Sequence, residues 1–171
     1  LQYRHNADRI LIVAPGHLGE QWQRELKEKF GCRFKLINRA TINSNWGDNV
    51  WENENLCITS IDFIKQDEIK STLASVRWDL IIIDEAHKMS AYKYGDKIDK
   101  RKRYRVGELL SETTNHLIFL TATPHRGDEE NFRLFIDLLS PGMFANIDLL
   151  KESVANKDNP LFLRRLKEDL K

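Results

Sequence analysis

Cysteine is nearly absent from this sequence. Its 171 residues hold two, Cys32 and Cys57, with neither a CxxC pair nor a metal-ligand spacing. That excludes a disulfide framework and fits reduced thiols in a cytoplasmic protein. The five histidines are scattered, and none pairs with another His or a Cys at zinc-ligand spacing, so a zinc centre is not expected. Long apolar runs are missing too: none approaches the roughly 20 residues that span a bilayer, and no signal peptide opens the chain. An excess of one charge is also lacking, since 27 Lys and Arg oppose 26 Asp and Glu for a net +1. That excludes the global basicity of an obligate nucleic-acid coat. There is no internal repeat and no low-complexity tract. The chain begins with Leu1 instead of Met, which reads as a piece of something longer.

What is present describes a globular α/β protein of about one domain, long enough to bury a sizeable core. Four short apolar runs read as strands: "RILIVAP" (9–15), "NLCITS" (55–60), "DLIIID" (79–84) and "HLIFLTATP" (116–124). Helical patterns separate them. Leu18, Trp22, Leu26 and Phe30 recur at i+4, with Glu20/Arg24 and Glu25/Lys29 as supporting pairs. Asp67 is the expected N-cap of a helix marked by Ile69, Leu73 and Val76. Val106, Leu109, Leu110 and Thr113 mark a third. Phe132, Phe135, Ile136 and Leu139 share the face of a fourth, capped by Asp128. This alternation predicts right-handed crossovers and a mostly parallel central sheet between two helical layers. "SPGM" (140–143) ends the pattern, dividing 1–140 from a C-terminal helical segment, 141–171, that packs Leu163, Leu166 and Leu170. The stretch 43–55, polar with Trp46 and Trp51, is expected to be a surface loop or short hairpin whose tryptophans cover an edge.

The chemistry concentrates in "WDLIIIDEAHKM" (78–89). Leu80–Ile83 lack polar alternation, as in a strand buried on both faces. Burying a charge costs roughly several kcal/mol unless it is paired or metal-bound, so Asp84 and Glu85 should lie just past the strand's carboxyl end, where open α/β sheets bind ligands. An Asp-Glu pair there suits nucleotide hydrolysis, one carboxylate for Mg²⁺ and one for the attacking water. Read alone, the pair is equally two solvated acids starting a loop. "LTATP" then places Thr121 and Thr123 at a neighbouring strand end, within reach of the carboxylates or of His87. Between these motifs, Lys93 to Arg105 holds seven basic and two acidic residues, a local +5 that leaves −4 for the rest. Such a loop, with Lys100, Arg101, Lys102 and Arg103 at its centre, either tracks phosphates or is simply solvated.

These motifs resemble those of superfamily 2 helicases, and within them the Swi/Snf-type ATP-dependent DNA translocases of bacteria and archaea. "LIVAPGHLGEQWQREL" looks like motif Ia, "LCITSIDFI" like motif Ib, "IIIDEAHKM" like motif II and "LTATPHRGDEENFRLFIDLLSP" like motif III with its following helix. "FLRRLKEDL" resembles the segment that leads toward the second motor lobe. The resemblance implies a RecA-like P-loop NTPase lobe with ATP and Mg²⁺ as cofactors. In it Asp84 would bind Mg²⁺, Glu85 would be the catalytic base, and His87 would contact the γ-phosphate region or motif III. Thr121, Ala122 and Thr123 would couple hydrolysis to movement. Pro15, Gly16, His17, Thr59 and Ser60 would approach the phosphates of duplex DNA without reading sequence.

One departure is serious. The family's motif I, a glycine-rich loop ending in Gly-Lys-Thr/Ser, should precede "RILIVAP", yet the chain contains no Gly-Lys dipeptide. The lobe is therefore expected to be incomplete at its N-terminus, inactive alone, and in need of a second RecA-like lobe. Its exposed strand edges invite pairing with another copy. Two rival readings stand beside the motor: a DNA- or protein-binding module that does not hydrolyse ATP, and a Mg²⁺-dependent nuclease using Asp84 and Glu85.

Overall fold

A computed structural model describes residues 7–45, 47–89, 92–94, 97–99, 102–122, 129–143, 148–149 and 152. In chain order its main elements are β1 (Ile10–Ala14), α1 (Gly19–Phe30), β2 (Lys35–Leu36), α2 (Arg39–Ser44), α3 (Val50–Asn53), β3 (Leu56–Ser60), α4 (Ile61–Ile64), α5 (Asp67–Ala74), β4 (Trp78–Asp84), β5 (Tyr92–Tyr94), β6 (Lys97–Asp99), α6 (Lys102–Glu112), β7 (Thr114–Leu120) and α7 (Glu129–Asp137). The central sheet runs β2-β3-β1-β4-β7, all parallel. The four apolar runs are four of its strands. The fifth, β2, has two residues, too few to leave a pattern in the sequence.

The period of two along each strand divides the core between the faces. Ile10, Ile12, Ile58 and Leu80 pack on one face under Trp22 and Leu26 of α1. Leu11, Val13, Ile81 and Ile83 pack on the other with Ile69 and Leu73 of α5, Val106 and Leu110 of α6 and Phe135 of α7. Helices thus cover both faces, as right-handed crossovers require when the chain moves first one way and then the other across the sheet. Gly19 lets α1 approach closely, since a Cβ there would stand 2.9 Å from Leu36 Cδ1. Gly31 ends that helix in the left-handed conformation, φ 68°.

Several local expectations are corrected. The stretch 43–55 is partly helical: it holds the end of α2 and all of α3, and Trp51 is 0% exposed, its indole donating to Thr72 Oγ1 at 3.2 Å. Asparagines that suggested a loop are caps instead, Asn38 accepting from Thr41 N–H and Asn49 from Trp51 N–H. Asp67 is the first residue of α5, with Gln66 in the cap position. The basic insertion is a short antiparallel hairpin, β5 with β6, followed by the start of α6 at Lys102. Phe135 and Ile136 are buried on α7, and Phe132 and Leu139 pack half-buried against the same core. Trp46, the capping aspartate Asp128, and Leu163, Arg164, Arg165, Leu166 and Leu170 of the C-terminal segment lie outside the described residues. No helix among the described residues is long and apolar enough to cross a membrane.

Candidate active site

β4 carries the two carboxylates to the carboxyl edge of the sheet. Asp84 is its last residue and pairs in register with Leu120, the last of β7. Glu85 then turns the chain with φ 52°, the one positive φ outside glycine among the described residues. This left-handed turn aims Glu85 N–H at Asp84 Oδ1, 2.8 Å away. Lys88 N–H closes on Glu85 O at 3.0 Å as Ala86–Met89 wind into a 3-10 turn. Asp84 Oδ2 accepts from Trp22 Nε1 at 3.0 Å. Each oxygen of this carboxylate thus has one donor, with lone pairs to spare.

His87 lies between the two strand ends. Its Nδ1 is 2.9 Å from Thr121 Oγ1, just past β7, and its Nε2 stands 3.5 Å from Glu85 Oε2. The tautomer sets whether the Thr121 hydroxyl donates to Nδ1 or accepts from it. Lys88 Nζ is 3.9 Å from the same Glu85 oxygen. Glu85, His87 and Thr121, predicted to act together, do meet. Ala122 follows, exposed, and Thr123 lies outside the described residues.

The residues expected at DNA divide. Ala14 and Ser60 are register partners at the carboxyl ends of β1 and β3, and a Cβ on Gly16 would stand 3.9 Å from that of Ser60. Gly16 and His17 are exposed in a 3-10 turn before α1, while Pro15 is buried beneath them. Ser60 Oγ accepts from Phe63 N–H and so caps α4. Thr59 is a correction: it is 2% exposed, and its hydroxyl donates to Ile37 O at 3.0 Å, so its side chain is no part of that surface. Lys102 and Arg103 sit in the first turn of α6 and pair with carboxylates, Lys102 with Asp67 at 3.6 Å and Arg103 with Asp62 at 2.6 Å. Hydrogen bonds from Lys65 and then Arg103 hold Asp62 below the usual carboxylate range, and Lys70, with Lys102 nearby, does the same for Asp67. Lys100 and Arg101 lie outside the described residues.

The donor set suits one metal chemistry. No group of three or more His, Cys, Asp or Glu among the described residues is arranged to hold an ion. The Asp84 carboxylate alone fits Mg²⁺, which takes one or two carboxylates and leaves its other positions to water and substrate phosphates.

The interaction that sequence reasoning missed is Trp22 with Asp84, 62 positions apart. Trp22 showed only as one member of an apolar i+4 stripe. It also walls a cavity of about 270 Å³ lined by Leu18, Gln21, Glu25, Leu26, Phe30 and Asp84.

Comparison with known proteins gives a consistent result. The chain matches the SNF2-related domain over residues 1–171. The RNA polymerase-associated protein RapA of Proteus mirabilis is 32% identical over 141 residues, 81% of this chain and 14% of that protein. RapA of Yersinia enterocolitica is 33% identical over 145 residues, 83% of this chain and 15% of that one. The chain therefore spans about one-seventh of the length of these curated relatives. Among solved structures, the Sulfolobus solfataricus SWI2/SNF2 ATPase core in complex with dsDNA superposes with a TM-score of 0.72 at 20% identity, over 99% of this chain and 36% of that one. The Pyrococcus furiosus Hef helicase domain superposes at 0.56 and 16% identity, over 80% of this chain and 28% of that one. The fold is that of a RecA-like α/β lobe.

Proposed function

The chain belongs to the SNF2-related domain family, and from that premise we propose that it supplies the carboxylate half of a motor that couples ATP hydrolysis to movement on duplex DNA. The observation that carries the reading is His87, which bridges Glu85 at 3.5 Å and Thr121 at 2.9 Å and so joins the ends of β4 and β7 at one edge of the sheet.

In this reading Asp84 holds Mg²⁺ beside the triphosphate. Bound there, the ion neutralises phosphate charge in the transition state. Glu85, aimed off the sheet by its left-handed turn, orients the attacking water and takes its proton. His87 keeps the Glu85 carboxylate in place and passes a change at that carboxylate to Thr121. Thr121, Ala122 and Thr123 carry it onward. Gly16, His17 and Ser60 meet the phosphates of one DNA strand from the same edge of the sheet, through backbone and hydroxyl groups that read no sequence. Duplex DNA is favoured because the Sulfolobus ATPase core was solved with dsDNA.

The chain has no Gly-Lys dipeptide, so a Gly-Lys-Thr/Ser phosphate loop and a second RecA-like lobe have to come from residues outside it. The test is Glu85→Gln in a longer protein that joins this chain to such a loop and lobe. ATP binding should persist while hydrolysis falls by about 10²–10⁴-fold. Unchanged turnover in the variant would remove Glu85 from the chemistry.

A further inference from the structure

Asp84 is held from two sides, and only one of the holds is local. Oδ1 takes the N–H of its neighbour Glu85 at 2.8 Å, which any residue in that turn supplies. Oδ2 takes the indole N–H of Trp22 at 3.0 Å, from a different element. An indole nitrogen donates and never accepts, so this contact holds Oδ2 as an acceptor and fixes the carboxylate's rotation. Trp22 lies one turn into α1, and its ring is half-buried over the face that carries Leu80 and Ile82. The helix that carries this indole begins directly after the exposed turn at Gly16 and His17.

We propose that Trp22 is a positioning residue for the cation site: its N–H orients the Asp84 carboxylate, and so sets the affinity for Mg²⁺ and ties that affinity to the placement of α1. This rests on the reading of Asp84 as the metal carboxylate.

The experiment uses the longer protein containing the phosphate loop and second lobe, with Trp22→Phe, which keeps a ring in place and removes the donor. Mn²⁺ binding in the presence of ADP is followed by electron paramagnetic resonance. The variant should bind Mn²⁺ roughly tenfold more weakly. The Mg²⁺ concentration for half-maximal hydrolysis should rise in step, with kcat at saturating Mg²⁺ nearly unchanged. A double-mutant cycle of Trp22→Phe with Asp84→Ala on urea unfolding, without nucleotide or metal, reads the bond itself. Its two changes should be non-additive. An additive cycle overturns the proposal whatever the function of the site. A coupled cycle with unaltered Mn²⁺ affinity shows a purely structural bond and overturns it as well. Failure of the unsubstituted protein to bind Mn²⁺ with ADP overturns the reading of Asp84, and the positioning role with it.

Discussion

Glu85 occupies a conformation that only glycine adopts freely. At φ 52° a residue with a Cβ bears a cost of about 1–2 kcal/mol, and such strain concentrates where a side chain must be aimed. Here the turn releases the chain from β4, and Lys88 N–H closes on Glu85 O. Its other effect is to present the carboxylate to His87. Glu85→Gly should therefore abolish the proposed chemistry and still leave the protein more stable, by roughly 0.5–1 kcal/mol after the flexibility glycine adds to the unfolded chain. Urea unfolding measures this. A glycine variant less stable than the parent would show that the Glu85 side chain supports the fold. Position 85 could be read from the sequence, because an apolar run ending in Asp-Glu constrains where charge can sit. Its backbone strain could not, since Glu carries no sign of left-handed geometry as Asn or Gly would. The Trp22–Asp84 bond was equally hidden, because a pairing across 62 positions depends on how α1 lies on the sheet.

At the scale of elements, helix packing brings opposite charges together: α4 and α5 set Asp62 and Asp67 against Arg103 and Lys102. The depressed Asp62 pKa makes this contact pH-dependent with a definite sign. A carboxylate ionised more readily in the folded state stabilises that state above its unfolded value near 3.8, and the contribution is lost as pH falls through the lower folded value. Asp62 is exposed, so the Arg103 share should stay under about 1 kcal/mol and shrink in salt. Arg103→Ala should accordingly lose less stability than the parent between pH 5 and pH 2, followed by urea unfolding (about the range the carboxylate shift covers). Identical pH profiles would deny the pair any role.

Edges tell a second story at this scale. Among the described residues β1 is paired on both sides, while β7 has a partner only in β4. Ile118 and Leu120 of β7, on the same face of the sheet as α1, are 40% and 38% exposed. A strand placed outside β7 and joined to β1 by a right-handed crossover would lay its helix over that same face. Amide hydrogen exchange should find β1 protected to near the global limit and the outward-facing amides of β7 exchanging much faster. Addition of the phosphate-loop segment should slow β7 alone. Equal protection of both strands in the 171-residue chain would mean that the outer edge is already covered, as by a second copy.

For the molecule as a whole, the parts legible in the sequence were those set by burial. Continuous apolar runs gave four strands, and helical spacing gave α1, α5, α6 and α7. The parts that escaped were set by contact: β2 with its two residues, Trp51 drawn into the core beside capping asparagines, Thr59 turned inward toward Ile37. The motifs were legible for another reason. Carboxylates, a histidine and the Thr121 hydroxyl at successive strand ends converge once the sheet is parallel. The measurement that tests the central claim most directly is ATP hydrolysis, with and without duplex DNA, by this chain and by a longer protein that adds a Gly-Lys-Thr/Ser loop and a second lobe. The account predicts no turnover from the chain alone, and DNA-stimulated turnover from the longer protein. A longer protein that stays inert, while the short chain binds DNA with a steep salt dependence, would contradict the motor and leave a binding module in its place.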